Sequence, residues 1–214
     1  MNILLTAATA KEIEPFFEYY RNSKRLLDID ILITGIGLTA ATYHLLKQIN
    51  LKRPDLVIQA GVAGCFDKKI PLGTVVIVKK ETIADQSVME LKKLRTLFDL
   101  KLVPHDQFPF KNGWLENDHE ILKNTQLKKI NAISVNEITT APQRVKFYTD
   151  SFKPVTESME GAALHYTCLM EKIPFLQLRS ISNYIAERDK KKWNMKKSII
   201  NLNKKLIHLI ETIN

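Results

Sequence analysis

Two short apolar segments in the last third of the chain each lead to a polar side chain that could do chemistry. The segment from Pro154 leads to Glu160, and the segment from Phe175 leads to Ser182 and Asn183. Because open α/β sheets bind ligands beyond the carboxyl ends of their strands, Glu160 and Asn183 are expected in one crevice. A carboxylate in the first turn of a helix is stabilised in its charged form and can hold two vicinal sugar hydroxyls. An amide offers a donor and an acceptor that can read the edge of a nucleobase.

The elements that must position these residues follow from an alternation of apolar runs and amphipathic stretches along the chain. This alternation predicts an α/β fold of three α/β/α layers, with a central mixed, mostly parallel sheet, in one domain spanning residues 1–214. Predicted strands span residues 3–8, 29–34, 55–60, 73–78 and 132–135; predicted helices span residues 11–20, 38–48, 142–149 and 192–212; and residues 84–117 are expected to be irregular.

The composition argues against several other classes of protein. Hydrophobic residues make up 45% of the 214 residues, and no run is long or apolar enough to span a bilayer. The first five residues lack a basic region before them and a cleavage site, so they predict a buried strand and not a signal peptide. Cys65 and Cys168 have apolar neighbours and predict buried thiols in a reducing cytoplasm. A cytoplasmic protein with no membrane partner is therefore expected.

The formal net charge of +9 raises the question of nucleic-acid binding. The basic residues are spread along the chain, with the densest run at 188–197, and no zinc-finger spacing or aromatic ribonucleoprotein motif accompanies them. Solvated helix faces are therefore favoured over a nucleic-acid stripe. The five histidines form no metal-binding motif, and neither a metal nor an organic cofactor is expected. The positive charge could help to attract an acidic small substrate.

Residues 35–40 satisfy the pattern G-x-G-x-x-A between a predicted strand and a predicted helix, which raises the question of a dinucleotide site. Such a site also requires an acidic residue at the end of the next strand. The next strand ends before Gly61 without one, and the motif follows the second strand and not the first. Glycines that permit a tight turn are the favoured interpretation.

Two longer motifs resemble those of the nucleoside phosphorylase and nucleosidase superfamily. The first runs from Glu157 to Ala163, and the second runs from Arg179 to Asn183 and continues through Arg188-Asp189 to Trp193. The resemblance covers most of the chain and is weakest at residues 80–130. It implies the nucleoside phosphorylase fold, cleavage of an N-glycosidic bond, a small-molecule nucleoside substrate and a homodimer.

The resemblance also implies which residues act on the ribose and on the attacking water. Glu160 would hold the ribose hydroxyls, with Met159 packed beneath the sugar. Glu12 lies at the position of the glutamate that activates water, although its spacing from Thr9 is also that of an ordinary capping box. Glu14 is the neighbour with which Glu12 is most easily confused.

The base is expected at a second group of residues. Gly61 and Val62 belong to a predicted loop, residues 61–64, that lies against the ribose and base in the superfamily. Asn183 would bind the base at its imidazole side, and Ile138 and Thr139 would frame it.

The same resemblance bears on whether water or phosphate attacks. Phosphorylases commonly place Ser or Thr at the position of Val62 and an arginine in the first loop, which spans residues 7–10 here and has none. Since an anion site needs donors, water is the favoured nucleophile. Arg179 and Arg144 remain as cations that could still supply charge.

Within the superfamily, the chain resembles the futalosine hydrolases, notably in two aromatic stretches at 98–100 and 108–115. These stretches are expected to form either a satellite core or a lid over an aromatic substrate. Futalosine carries a benzoate-type acid on its ribose side chain, and the resemblance implies release of hypoxanthine within menaquinone biosynthesis. Asn183 agrees with a 6-oxopurine, because an amide can donate to a carbonyl at position 6.

Three alternatives stay open on the sequence. The first is a nucleosidase that acts on methylthioadenosine and S-adenosylhomocysteine, and the second is a purine nucleoside phosphorylase. The third, from another class, is a nucleoside-binding protein with a dead site. The products distinguish them: hydrolysis gives a free ribose-type product, phosphorolysis gives ribose-1-phosphate, and a binding protein gives no turnover.

Overall fold

Strands and helices alternate through residues 1–23, 28–90 and 93–213, which are the residues described by the computed structural model. The helices are α1 (Ala10–Asn22), α2 (Leu38–Leu51), α3 (Pro142–Phe152), α4 (Gly161–Glu171) and α5 (Met195–Ile213). The strands are β1 (Asn2–Ala7), β2 (Asp28–Ile33), β3 (Leu56–Cys65), β4 (Val75–Ile83), β5 (Ser87–Glu90), β6 (Lys93–Thr96), β7 (Leu115–Glu116), β8 (Lys129–Ser134), β9 (Thr156–Ser158) and β10 (Phe175–Tyr184).

The central sheet is mixed, as predicted, and part of it closes on itself. β3 pairs with β10, β10 with β4, β4 with β8, β8 with β9, and β9 returns to β3. β1 and β2 extend the sheet from β3 in parallel. β4, β8 and β9 are parallel to one another but antiparallel to β3 and β10. This reversal decides where the site residues lie.

The two faces of the sheet are covered by different helices, which confirms the three-layer prediction. Ile58 of β3 packs with Phe16 of α1 and Leu206 of α5 in one buried cluster. Val57, the next residue of the same strand, packs with Leu45 of α2 and Leu164 of α4 in another. Successive strand residues point to opposite faces, so an apolar run along β3 is what a strand buried on both sides requires.

Two local predictions were wrong. Residues 61–64, expected as a loop, continue β3 as far as Cys65, because Ala63 and Gly64 pair with Ile181 and Asn183 of β10. Residues 84–117, expected to be irregular, contain the antiparallel pair β5 and β6 and the strand β7, which pairs with β4; residues 91–92 of this range lie outside the described residues. A strand whose pairing partners are distant in sequence is poorly marked by local turn signals.

The aromatic stretches of this segment pack against the helices. Phe98 contacts Phe110, Phe110 contacts Tyr166 of α4, and Trp114 contacts Phe152 of α3, with ring centroids 5.2–6.2 Å apart. These contacts favour the satellite core over the lid. Among the described residues, no helix has the length and apolar character to cross a bilayer.

Candidate active site

Glu160 and Asn183, which the sequence predicts in one crevice, lie at two levels along β3. β9, which leads to Glu160, runs antiparallel to β3, whereas β10, which leads to Asn183, runs parallel to it. Asn183 pairs with Gly64, while Arg179, which approaches Glu160, pairs with Gly61. The two levels are three residues apart along β3, which is about 10 Å. The polar residues therefore lie in two groups along β3, which we call the two ends of the candidate cleft.

Glu160 is the N-cap residue of α4 and not a member of its first turn. Its Oε1 accepts a hydrogen bond of 3.1 Å from the backbone N–H of Gly37, at the start of α2. Gly37 has φ 92°, a conformation that favours glycine, so the turn predicted from the glycine motif is what aims this donor. Burial raises the pKa of Glu160; Arg179 and the Gly37 N–H oppose that shift, and Glu12 adds to it.

Arg179 is the cation of the site and is only 1% exposed. Its Nη2 donates to Gln59 Oε1 at 2.6 Å and lies 3.8 Å from Glu160 Oε2, an ion pair too long for a hydrogen bond. The Gln59 amide also donates to the backbone carbonyl of Glu160 at 3.4 Å. The guanidinium is therefore held by Gln59 and lies against Glu160, which offsets its charge, while its Nε has no hydrogen-bond partner among the described residues.

The Glu12 carboxylate also lies at the Arg179 end of the site, but it comes from the other face of the sheet. Its Oε2 accepts from the backbone N–H and the hydroxyl of Thr9, at 3.0 and 3.1 Å, so the capping contact is present. Its Oε1 accepts from the backbone N–H of Val62 at 3.0 Å. A side-chain carbon at Gly61 would lie 2.3 Å from Arg179 Nη1 and 3.0 Å from Glu12 Oε1. A donor and an acceptor thus meet over Gly61, where only glycine leaves room.

We call Glu12, Gly61, Glu160 and Arg179 the cleft cluster. Glu12 is 8% exposed and Glu160 is 6% exposed, so both carboxylates retain a narrow opening to solvent. Two carboxylates face one guanidinium there. This arrangement can bind hydroxyl groups, hold a water molecule between a donor and an acceptor, and stabilise a developing positive charge.

At the other end of the cleft, the amide of Asn183 is oriented by its neighbours. Its Oδ1 accepts from the Ser182 hydroxyl at 2.8 Å, and its Nδ2 donates to the Tyr184 carbonyl at 3.2 Å. Each amide atom retains further capacity, one N–H on Nδ2 and one lone pair on Oδ1. The group can therefore still donate to one ligand atom and accept from another.

The predicted base-framing residues are tied to this end of the cleft through Glu157. Glu157 pairs in register with Gly64, and its Oε1 accepts from the backbone N–H of Thr139 at 3.0 Å. Thr139 is buried, whereas Ile138 beside it is 46% exposed and offers an apolar surface. Met159 is half-buried between β9 and Glu160.

Beside the cleft cluster lies a second group, Glu81, Ser134, Gly161 and Gln177, which we call the sealed cluster. Glu81 Oε1 accepts from the Ser134 hydroxyl at 3.3 Å and Oε2 accepts from Gln177 Nε2 at 3.1 Å. The Ser134 oxygen in turn accepts from the backbone N–H of Ala162, in the first turn of α4, at 2.8 Å. Glu81 has no exposed surface, and burial raises its pKa to about 7.

His165 of α4 borders the sealed cluster. Its Nδ1 lies 2.9 Å from the backbone carbonyl of Leu115, and burial lowers its pKa to about 4. A neutral ring that donates Nδ1–H to this carbonyl is the form that fits. Both cysteines are free and buried, as predicted, and burial raises the pKa of Cys65 to about 11. No trio of potential ligands for a metal ion is found among the described residues.

Sequence reasoning named Arg179 only as a cation that could supply charge to an anion, and it did not assign Gln59 or Glu81 to a site. A usable signal was present, since Gln177 and Arg179 alternate with leucines in β10 and a buried strand seldom carries an unpaired polar residue. Arg144, the other candidate for an anion, forms an ion pair of 2.7 Å with Glu137.

The chain belongs to the Phosphorylase superfamily, whose profile matches residues 6–213. This membership confirms the predicted fold and the prediction of an enzyme related to the nucleosidases.

Among curated proteins, the 5'-methylthioadenosine/S-adenosylhomocysteine nucleosidase of Maridesulfovibrio salexigens is 24% identical, over 80% of this chain and 74% of the relative. The nucleosidase of the same name from Buchnera aphidicola is 26% identical, over 77% of this chain and 70% of the relative.

Solved structures share the fold at lower identity. A variant of the Helicobacter pylori nucleosidase with 5'-methylthioadenosine in its active site has a TM-score of 0.78 at 20% identity, covering 98% of both chains. The futalosine hydrolase of Helicobacter pylori also has a TM-score of 0.78, at 19% identity, covering 99% of this chain and 97% of that one.

Proposed function

We propose that this protein hydrolyses the N-glycosidic bond of a purine nucleoside. The observation that carries the proposal is the meeting of Glu12 Oε1 and Arg179 Nη1 over Gly61, beside the Glu160 carboxylate. A water molecule between them would donate a proton to Glu12 while it attacks C1′ of the ribose. Glu160 would accept hydrogen bonds from the ribose hydroxyls and stabilise the positive charge that develops as the bond breaks.

Water is favoured over phosphate because the cations near the cleft are already paired. Arg179 is held by Gln59 and faces Glu160, and Arg144 is bound to Glu137. A phosphate beside Glu12 and Glu160 would meet two carboxylates and one guanidinium. Val62 offers its backbone N–H to Glu12 and has no side-chain donor to replace it.

The leaving base is proposed to be hypoxanthine, bound by Asn183. N7 would take a proton from solvent water as the bond breaks; Oδ1 would accept a hydrogen bond from the resulting N7–H, and the free N–H of Nδ2 would donate to the 6-carbonyl oxygen. With the resemblance to the futalosine hydrolases, this supports futalosine as the substrate. The products would be hypoxanthine and dehypoxanthine futalosine, a step of menaquinone biosynthesis by the futalosine route.

A second candidate is hydrolysis of methylthioadenosine, since the curated relatives bear that nucleosidase name. Incubation with futalosine, inosine and methylthioadenosine, each with and without phosphate, separates the candidates. We expect hypoxanthine from futalosine at a rate independent of phosphate. Adenine released faster from methylthioadenosine would support the second candidate. A ribose-1-phosphate product, or binding without turnover, would contradict hydrolysis altogether.

We also propose a homodimer that forms through the outer faces of α2 and α4. These helices pack against each other and leave Tyr43 61% exposed and Met170 47% exposed. Wild-type protein should sediment at twice 24.6 kDa, and a Tyr43→Glu, Met170→Glu double variant should sediment as a monomer. Ile200→Glu, at a 39% exposed position of α5, is the matched control and should leave the dimer intact. A monomeric wild type would contradict the proposal.

A further inference from the structure

The segment between β10 and α5 contains an arginine stacked on a tryptophan. The Arg188 guanidinium carbon lies 5.7 Å from the centre of the Trp193 ring. The indole is fixed, because its Nε1 donates to the backbone carbonyl of Glu187 at 3.0 Å. We call Arg188 and Trp193 the stacked pair. An arginine over an indole face is held by a cation–π contact and keeps the N–H groups at its edge available.

Arg188 has no carboxylate of its own in the described part of the chain. It is exposed, while the acidic residues on either side of it are engaged elsewhere. Glu187 forms an ion pair of 2.9 Å with Lys192, and Asp189 accepts from the backbone N–H of Lys191 at 3.0 Å. The loop thus holds a cation in place without neutralising it.

The stacked pair lies next to the nucleoside cleft, because both ends of its loop are anchored at the strand end that carries Asn183. The backbone N–H of Ile185 donates to the Cys65 carbonyl at 2.9 Å, and that of Asn194 donates to the Ser182 carbonyl at 2.8 Å. Trp193 is therefore one residue from a backbone contact with the neighbour of Asn183.

The loop also leads to the sheet face opposite the one on which Glu160 is bound. Glu160, which would hold the hydroxyl edge of the sugar, is bound on the side of α2. The loop leads instead into α5, where Asn203 Nδ2 donates to the backbone carbonyl of Glu12 at 2.8 Å. A nucleoside whose hydroxyl edge is held by Glu160 would direct its 5′ substituent away from α2, and so toward the face covered by α1 and α5.

We infer that the stacked pair binds an aromatic carboxylate carried on the 5′ side of the nucleoside. Arg188 would donate two hydrogen bonds to the carboxylate, and the apolar surface around Trp193 would contact the aromatic ring. The inference rests on the proposed hydrolysis of futalosine and assigns the recognition of its benzoate-type acid. It also gives a reason to reject methylthioadenosine, which has no acid at that end.

The test compares futalosine with inosine, which has the same base and ribose but no acidic arm. Arg188→Gln should lower kcat/KM for futalosine by about 10–100-fold, mainly through KM, since hydrogen bonds between charged groups are worth about 1.5–3 kcal/mol. Turnover or competitive binding of inosine should change less than about twofold in the same variant. Arg188→Lys should restore part of the affinity, because it keeps the charge and loses the paired donors.

Lys191→Gln is the matched control, because it removes one positive charge from the same loop without touching the ring. Lys191→Gln should leave kcat/KM for futalosine and the turnover or binding of inosine unchanged. Equal losses on futalosine and inosine in Arg188→Gln, or no loss on either, would overturn the inference while leaving the proposed function in place. A wild type that does not release hypoxanthine from futalosine would overturn both the inference and the proposed hydrolysis of futalosine. The wild-type assay is therefore done before any variant is made.

Discussion

The cleft cluster and the sealed cluster are built alike but face different surroundings. Each holds the end of a charged side chain against a glycine so closely that a methyl group would clash. A side-chain carbon would lie 2.3 Å from Arg179 Nη1 at Gly61 and 2.2 Å from Glu81 Oε2 at Gly161. The carboxylates of the cleft cluster lie beside the Arg179 guanidinium and keep some exposure, whereas Glu81 is hydrogen-bonded by neutral donors, feels Arg179 only through its charge and has no exposed surface.

The comparison shows that a buried carboxyl with a shifted pKa does not by itself mark a catalytic residue. Glu81 has a pKa raised to about 7, a value suited to proton transfer, yet it is sealed behind Ser134 and Gln177. Perturbed pKa values are found at functional sites and in structural networks alike. Residual exposure to solvent distinguishes Glu12 and Glu160 from Glu81.

The largest expected effect is the loss of turnover in Glu12→Gln. An amide cannot accept the proton of the attacking water, so kcat should fall by about 10²–10⁴-fold while binding of a non-cleaved nucleoside analogue is kept. Glu14→Gln, at the exposed neighbouring position, is the control and should keep wild-type kcat. Full activity in Glu12→Gln would return Glu12 to a capping role only.

A pair of glycine substitutions should distinguish the role of the cleft cluster in activity from the role of the sealed cluster in stability. In Gly61→Ala the new methyl displaces the ends of Arg179 and Glu12, and a misplacement of about 1 Å at reacting groups can cost about 10²-fold in rate. In Gly161→Ala it displaces Glu81 inside a sealed interior, where overpacking costs about 1–3 kcal/mol of stability. Both variants should lower the Tm, because both methyl groups meet buried side chains. At temperatures where both variants are folded, we expect activity to be lost in Gly61→Ala and kept in Gly161→Ala. The reverse pattern would show that the clusters have been assigned the wrong way round.

The smallest effect on activity is expected for Glu81→Gln, whose effect on stability should depend on pH. The folded-state pKa of about 7 lies above the ordinary value of 4.5, so folding favours the protonated form. This contribution is fully present below pH 4.5 and is lost as the pH rises to about 7, by roughly 3 kcal/mol. His165 contributes in the opposite sense, because its lowered pKa stabilises the fold at high pH, but it is present in both proteins.

The measurement is the free energy of unfolding by urea for wild type and Glu81→Gln at pH 4.5 and pH 8. From pH 4.5 to pH 8, the free energy of unfolding of Glu81→Gln should rise relative to that of wild type by the amount that wild type loses through Glu81. The kcat of the variant should stay within about threefold of wild type. Parallel pH curves would contradict the pKa shift of Glu81. A large loss of kcat would place Glu81 in the catalytic machinery.

The layers of the fold were predictable because they depend on local periodicity. Val57 and Ile58 pack into two different cores, as an apolar run in a strand buried on both faces predicts. The helices follow from their own amphipathic patterns. The closure of the sheet was not predictable, because the antiparallel pairing of β9 with β3 joins segments about ninety residues apart.

The same distinction holds for the site. Glu160 and Asn183 stand in motifs with a recognisable spacing and were identified from the sequence, whereas their arrangement along β3 depends on strand direction. The contact of Arg179 with Gln59 joins residues 120 positions apart in the chain and needed the structure. Neither strand shows by itself that its polar residue has a partner.

The most direct test of the account is kcat/KM for futalosine against its 6-amino analogue, in wild type and in Asn183→Asp. A site that reads its substrate through hydrogen bonds rejects the mismatched analogue strongly, often by about 10⁴-fold. We expect that the wild type has the higher kcat/KM for futalosine. Asn183→Asp should reduce or reverse this ratio, because a protonated Asp can donate to N7 and accept from a 6-amino group. A wild type that prefers the 6-amino compound would contradict the assignment of Asn183 to a 6-oxopurine and favour an adenine-releasing nucleosidase.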